Sequence, residues 1–265
     1  MPYNKDTAKE RWTIEKMKDY RKFCGWDTLR EIVDAVDIDL KGPSGEILIH
    51  NDLERDEGRA MVATVFETGS RICETIGQGE DTGFDGMLCS DFNIGFDRVI
   101  TTFKIEKRYT KLRRVTKYKA VDGCKLRWIS EAEAIKSGHE YEPYSGYLTE
   151  RETALRNIVI PLNEPLANIM VNWVKELKHK KDSSDKIFDI KYNRAYRIIT
   201  NAAKVVGVED FPPHRLRAER ATQLVLEYGL DDHELTDWFA WKNPKEAHDY
   251  TTLAPRIVEK MFMKR

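Results

Sequence analysis

Apolar residues recur at intervals of three and four through most of this chain and alternate in only a few short stretches, which predicts a mainly helical protein with a small sheet. Residues 7–36 read as two helices, one through Ile14, Met17, Tyr20 and Phe23, the next through Leu29, Ile32, Val33 and Val36 with Asp27 as its N-cap. Lys41-Gly42-Pro43-Ser44-Gly45 breaks the pattern, and Ile47-Leu48-Ile49 reads as a short strand. From Asp56 a helix through Ala60, Val62, Val65 and Phe66 stops at Thr68-Gly69, where glycine supplies a left-handed C-cap. A new helix follows at once, with Arg71 in its first turn.

Met87–Phe92 and Arg98–Phe103 are rich in β-formers and predict a hairpin, and the strand Arg156-Asn157-Ile158-Val159-Ile160 comes later. Between them, Trp128–Ile135 reads as a short capped helix and Tyr141–Tyr147 as a tyrosine-rich loop. After Pro161 the chain turns helical. Leu166, Ile169, Met170, Trp173, Val174 and Leu177 share one face, Tyr192, Tyr196, Ile199 and Ala203 the next, and Ala221, Leu224, Val225 and Tyr228 follow a Pro-Pro stop. A further helical run precedes Trp241, and residues 255–262 form a short amphipathic helix. No proline- or glycine-rich linker divides the chain, so the expected organisation is a helical preface over 1–55 and a principal domain over 56–265 with an insertion near 120–155.

Composition narrows the class. The 265 residues are 41% hydrophobic and 34% charged, with no apolar run near the roughly 20 residues that span a bilayer. The amino terminus shows no secretory signal, so the expected location is cytoplasmic, away from any membrane. Cys24, Cys73, Cys89 and Cys124 lie far apart without metal-ligand spacing, and neither metal nor cofactor is expected. The net charge of −1 hides an asymmetry: Lys104, Lys107, Arg108, Lys111, Arg113, Arg114, Lys117, Lys119, Lys125 and Arg127 face only Glu106 and Asp122. Contact with a polyanion requires such a surface. Arg194 and Arg197 are further candidates for phosphate contact, with a solvated helix face as the alternative.

Candidate chemistry concentrates at residues 211–250. His214 and Arg217, three apart in the first turn after Pro212-Pro213, place two cationic side chains on one helix face, and Trp241 and Tyr250 follow. Each has a plainer reading: Arg71 pairing with Glu74 on the surface, Tyr250 lying on a short exposed helix.

The combination resembles the tyrosine recombinase, or phage integrase, family. Thr68-Gly69-Ser70-Arg71-Ile72-Cys73-Glu74 is similar to that family's T-G-x-R-x-x-E box and His214-Arg215-Leu216-Arg217 to its H-x-L-R box. Phe239-Ala240-Trp241 stands where most members have L-G-H, and the nine residues from Trp241 to Tyr250 match the family's spacing to its nucleophile. The resemblance covers roughly residues 56–262. It implies an α+β, mainly helical catalytic domain of integrase type with a small antiparallel sheet, whose hairpin presents a lysine; that place falls on Lys104, with Lys107 next. Ala218 and Glu219 depart from the usual residues after the second box, and fewer residues precede the matched region than a core-binding domain occupies.

The implied activity is site-specific recombination: double-stranded DNA cut and rejoined through a 3′-phosphotyrosine, without metal or ATP. Arg71 and Arg217 would hold non-bridging oxygens in planar forks, with Glu74 in support. His214 would add a donor, Trp241 would close the pocket, Tyr250 would attack and Lys104 would protonate the leaving 5′-oxygen. The cationic pocket would also depress the Tyr250 pKa. A homo-oligomer on DNA, dimer or tetramer, could assemble through residues 255–265. Type IB topoisomerase activity and a vestigial DNA-binding role are the alternatives.

Overall fold

The computed structural model describes residues 24–77, 85–120, 128–129 and 141–252, and within 106–153 it describes strands without side chains. The helices expected over residues 13–23 and 255–262, Cys124, and the side chains of Lys107, Arg108, Lys111, Arg113 and Arg114 lie outside that description. The chain divides into two compact units, residues 1–104 with 155–265, and residues 105–154.

The larger unit is built round helix α2 (Asp52–Thr68). Asn51 caps it by accepting the Glu54 N–H at 3.0 Å, with Asp52 and Glu54 complementing the helix dipole. From Ala60 to Thr68 every residue is buried, Glu67 included. A helix enclosed on all sides needs neighbours all round. These are α1 (Gly25–Asp34), α4 (Ala167–Lys178), α5 (Tyr192–Val205) and α6 (Pro213–Tyr228). Gly58 lets them approach: a Cβ there would come within 2.9 Å of Val36. In α4 the predicted apolar face holds, and the Trp173 indole donates to the Ile187 carbonyl at 2.8 Å, which makes it a core residue.

Two local expectations need correction. Helix α1 starts at Gly25, so Asp27 lies within its first turn, 3.4 Å from Arg30, instead of capping it. Ile47 makes only an isolated bridge with Lys41, not a strand. Residues 24–36 pack on the larger unit. Trp26 packs edge-on against Phe66 of α2 at 5.1 Å and donates its indole N–H to Glu227, while Glu219 accepts the Cys24 N–H at 3.3 Å. By Cα packing the chain divides at Ile105 and Ala154.

The sheet is antiparallel where its pairing is described. Strand β1 (Phe92–Ile94) pairs with β2 (Arg98–Ala120), Phe92 opposite Thr101, and β4 (Tyr141–Pro161) also pairs with β2. A single 3-10 turn, Cys89–Asp91, leads into β1 where a longer strand was expected. In the smaller unit β3 (Trp128–Ile129) pairs with Lys119 and Tyr118. Trp128 therefore begins a strand and not a helix, and Tyr141–Tyr147 belongs to β4 and not to a loop. Cross-strand pairing overrode local propensity at both places. The architecture is mainly helical with a small antiparallel sheet, as the periodicity predicts. Among the described residues no helix is long and apolar enough to cross a membrane.

Candidate active site

The turn after α2 sets one wall. Gly69 ends the helix at φ 58°, and an added Cβ would stand 2.3 Å from Cε1 of Phe239, so the position needs glycine both for its left-handed backbone and for the ring against it. The Thr68 hydroxyl donates to the Thr64 carbonyl at 2.6 Å and lies 2.8 Å from that of Ser70, which is 2.6 Å from that of Thr75. Arg71 is the N-cap of the short helix α3 (Ile72–Ile76). Its backbone N–H and its Nη1 donate to the two carboxylate oxygens of Glu74, at 2.8 and 2.7 Å. Glu74 is 1% exposed and Arg71 45% exposed, so the pair runs from the interior to the surface. Burial opposes the Arg71 charge, but Glu74 outweighs it and raises the guanidinium pKa.

Helix α6 supplies the second wall, with Pro213 at its first position. His214 is exposed at the open end of the helix, whereas Arg217 is buried. Arg217 donates through Nη1 to the Gly69 carbonyl and through Nη2 to the Phe239 carbonyl at 2.9 Å. Burial lowers its pKa to about 10, and the Arg71 charge pushes in the same direction.

A second buried guanidinium lies beside it. Arg156 of β4 donates Nη2 to the Thr68 carbonyl at 2.7 Å and Nε to the Trp238 carbonyl, and its Nη1 has no acceptor among the described residues. Burial, with Arg217 and Arg71 adding repulsion, holds its pKa well below the usual guanidinium value. Both arginines rest against the Phe239 ring, with Cζ to centroid distances of 5.2 Å for Arg156 and 4.6 Å for Arg217.

From Phe239 an aromatic column runs to Tyr250. Phe239 stacks on Trp241 with centroids 4.6 Å apart, and Trp241 stacks on Tyr250 at 5.4 Å with the planes 8° from parallel. Tyr250 is 9% exposed, in a cluster with Ala218, Ala221, Leu224, Leu235 and Ala247. Its pKa is raised to about 12 by burial, which outweighs the opposing Arg217 charge. This corrects the expectation that the pocket depresses it: a phenol inside an apolar cluster loses more hydration than one cation returns. The nine-residue spacing arises from helix α7 (Asp232–Phe239), a left-handed Ala240 at φ 48°, and helix α8 over residues 244–252. Asp232 ties α8 to α7, accepting from the Thr251 hydroxyl and lying 3.0 Å from His248 Nδ1.

Residues 144–256 match the phage integrase family. No curated protein matches the chain by sequence. Among solved structures, a crystal structure of XerH site-specific recombinase in a post-cleavage complex with palindromic difH substrate is 12% identical at a TM-score of 0.50, over 90% of this chain and 51% of the other. A pre-cleavage complex of XerH with difH substrate is 12% identical at a TM-score of 0.47, over 87% and 50% respectively. The likeness to the post-cleavage chain is one of fold, and this chain spans about half the length of the recombinase chains it matches.

Of the residues singled out from the sequence, helices α6 to α8 hold Arg217, Trp241 and Tyr250 together, and the α2–α3 turn brings Arg71 and Glu74 to the same side. Lys104 is exposed on β2, on the opposite strand face from buried Phe103, whose ring lies 5.4 Å from Arg156. Its side chain thus leaves the opposite face of the strand from the one that packs against Arg156. Arg194 and Arg197 are both engaged with residues of the 41–54 segment. Arg194 donates to the Leu48 carbonyl at 2.7 and 3.0 Å and pairs with Glu54, and Arg197 bonds Glu46 at 2.5 Å. Both fasten the 41–48 loop to α5. Arg156, Phe239 and Asp232 were not read as site residues. The signal for Arg156 was present: with Ile158 and Ile160 it occupies the buried face of a strand, where a charge needs a reason.

Proposed function

We propose that this chain is a site-specific tyrosine recombinase that cuts and rejoins double-stranded DNA through a 3′-phosphotyrosine at Tyr250. The observation that carries the reading is a charge imbalance. Arg156 and Arg217, both buried, and half-exposed Arg71 share one buried carboxylate, Glu74. An excess of buried positive charge is costly unless an anion completes it, and a phosphodiester has the right charge and two non-bridging oxygens for planar forks. Two of the five Arg217 donors go to the Gly69 and Phe239 carbonyls, which leaves three for phosphate.

Tyr250 lies two stacked rings from Phe239 in this cluster and attacks phosphorus once its ring lifts from Trp241. The phenol proton leaves as the P–O bond to tyrosine forms, and the 5′-oxygen departs as a hydroxyl after taking a proton. His214, exposed at the open end of α6 above Arg217, suits proton transfer better than outward-facing Lys104. The phosphotyrosine ester conserves the bond, so a 5′-hydroxyl from another strand reverses the step without ATP. Duplex DNA as partner, and a dimer or tetramer assembled on it through residues 255–265, belong to the same reading.

The test uses a library of nicked duplexes with randomised sequence around the nick, incubated with the chain in a chelator. The wild type is expected to give a protein–DNA adduct that survives detergent, and Tyr250→Phe none. No adduct with the wild type, or one that survives Tyr250→Phe, sinks the reading.

A further inference from the structure

We infer that Arg156 is a positioning residue for the cleavage step, acting through the backbone of both walls of the site. The inference rests on the reading above and adds a residue to it. Arg156 and Arg217 bind consecutive carbonyls on the same two segments. Arg156 takes Thr68 and Trp238; Arg217 takes Gly69 and Phe239. One segment leads directly into Arg71 and the other into Trp241 and Tyr250. The separation between the Arg71 turn and the tyrosine segment is therefore set by two parallel forks, of which only one carries the proposed phosphate role.

Three observations set Arg156 apart from an ordinary core arginine. Among the described residues its guanidinium has no carboxylate bonded to it, although a charge this deeply buried normally has one. It rests between aromatic partners, Phe103 at 5.4 Å and Phe239 at 5.2 Å, which fix its plane. Among the described residues its Nη1 is left without an acceptor beside Arg217, Arg71 and Glu74, where that positive charge adds to the potential an incoming phosphate meets. Lysine keeps the charge but cannot span both carbonyls.

The experiment measures adduct formation on the selected nicked duplex as a function of DNA concentration, giving a rate at saturation and a half-saturating concentration. For Arg156→Lys the expected result is a rate at saturation at least 30-fold below wild type with half-saturation within threefold, in a protein whose thermal midpoint shows it folded. A purely structural residue would lower the melting temperature without this split. A rate within threefold of wild type in folded Arg156→Lys, or a loss confined to DNA affinity, overturns the inference and leaves the recombinase reading standing. If Arg156→Lys does not fold, Phe103→Leu, which loosens the guanidinium without touching its carbonyls, is read in the same way. A three- to tenfold lower rate at unchanged half-saturation supports the inference, and an unchanged rate overturns it. A wild type that forms no adduct overturns both.

Discussion

The rings of Trp241 and Tyr250 lie face to face, 5.4 Å between centroids and 8° from parallel, so the phenol of the proposed nucleophile is held as a packing residue. Its pKa of about 12 against an ordinary 10 means that the folded state favours the protonated form. That contribution to stability is complete below about pH 10 and is lost as pH rises through 12. Denaturant unfolding of wild type and Tyr250→Phe at about pH 8 and about pH 11 should show the wild type losing on the order of 1 kcal/mol more than the variant. Parallel losses in the two proteins would mean that the phenol is not desolvated.

Gly69 has a left-handed backbone and Phe239 against it. Gly69→Ala should cost about 1–2 kcal/mol from backbone strain alone, with more from the displaced ring. The effect should be non-additive with Phe239→Leu, since the smaller side chain relieves the contact. Additive melting-temperature losses in the double variant would refute the coupling.

Inside α2, Glu67 shares Arg220 with Glu164: the guanidinium is 3.4 Å from Glu67 and 2.9 Å from Glu164. One cation between two buried carboxylates cannot balance both. Burial, helped by Glu164 and opposed by Arg220, raises the Glu67 pKa to about 7. A raised folded pKa gives stability that is complete below the unfolded value of 4.5 and falls as pH rises through 7. Relative to Glu67→Gln, the wild type should lose about 2 kcal/mol between about pH 5 and about pH 8. A pH-independent difference would show that Glu67 stays ionised throughout.

Asp232 is the tie between α7 and the helix that carries Tyr250. Its pKa is lowered, first by the Thr251 hydroxyl and then by His248, against the effect of burial. The contribution is therefore present above the unfolded pKa and is lost as pH falls through the folded one. Asp232→Ala should cost about 1 kcal/mol and speed amide hydrogen exchange in residues 244–252 several-fold, leaving α2 unaffected. Unchanged exchange in that helix would remove the latch.

What could be read in advance follows from the range of the interactions. Helix α2, its glycine cap, α4 and α6 declare themselves because their periodicity and caps are local. The Arg71 and Arg217 boxes were legible for the same reason, as fixed spacings. Trp128 and Tyr141–Tyr147 were misread because strand partners distant in sequence decide their state. Arg194 and Arg197 look like free cations until Leu48, Glu54 and Glu46, about 140 to 150 positions away, are placed beside them. The depth of Tyr250 was equally invisible, since a nine-residue spacing gives no measure of burial.

The two parallel arginine forks give the site a register, in the sense that a β-ladder has one. Thr68 and Gly69 on one side face Trp238 and Phe239 on the other, and the rungs are guanidiniums in place of peptide groups. Such a ladder is sensitive to count more than to side-chain identity. A single-residue deletion at either turn would offer each guanidinium its neighbour's carbonyl and twist the tyrosine segment relative to the Arg71 turn. Changes of length at these two places are therefore more damaging than most substitutions around them.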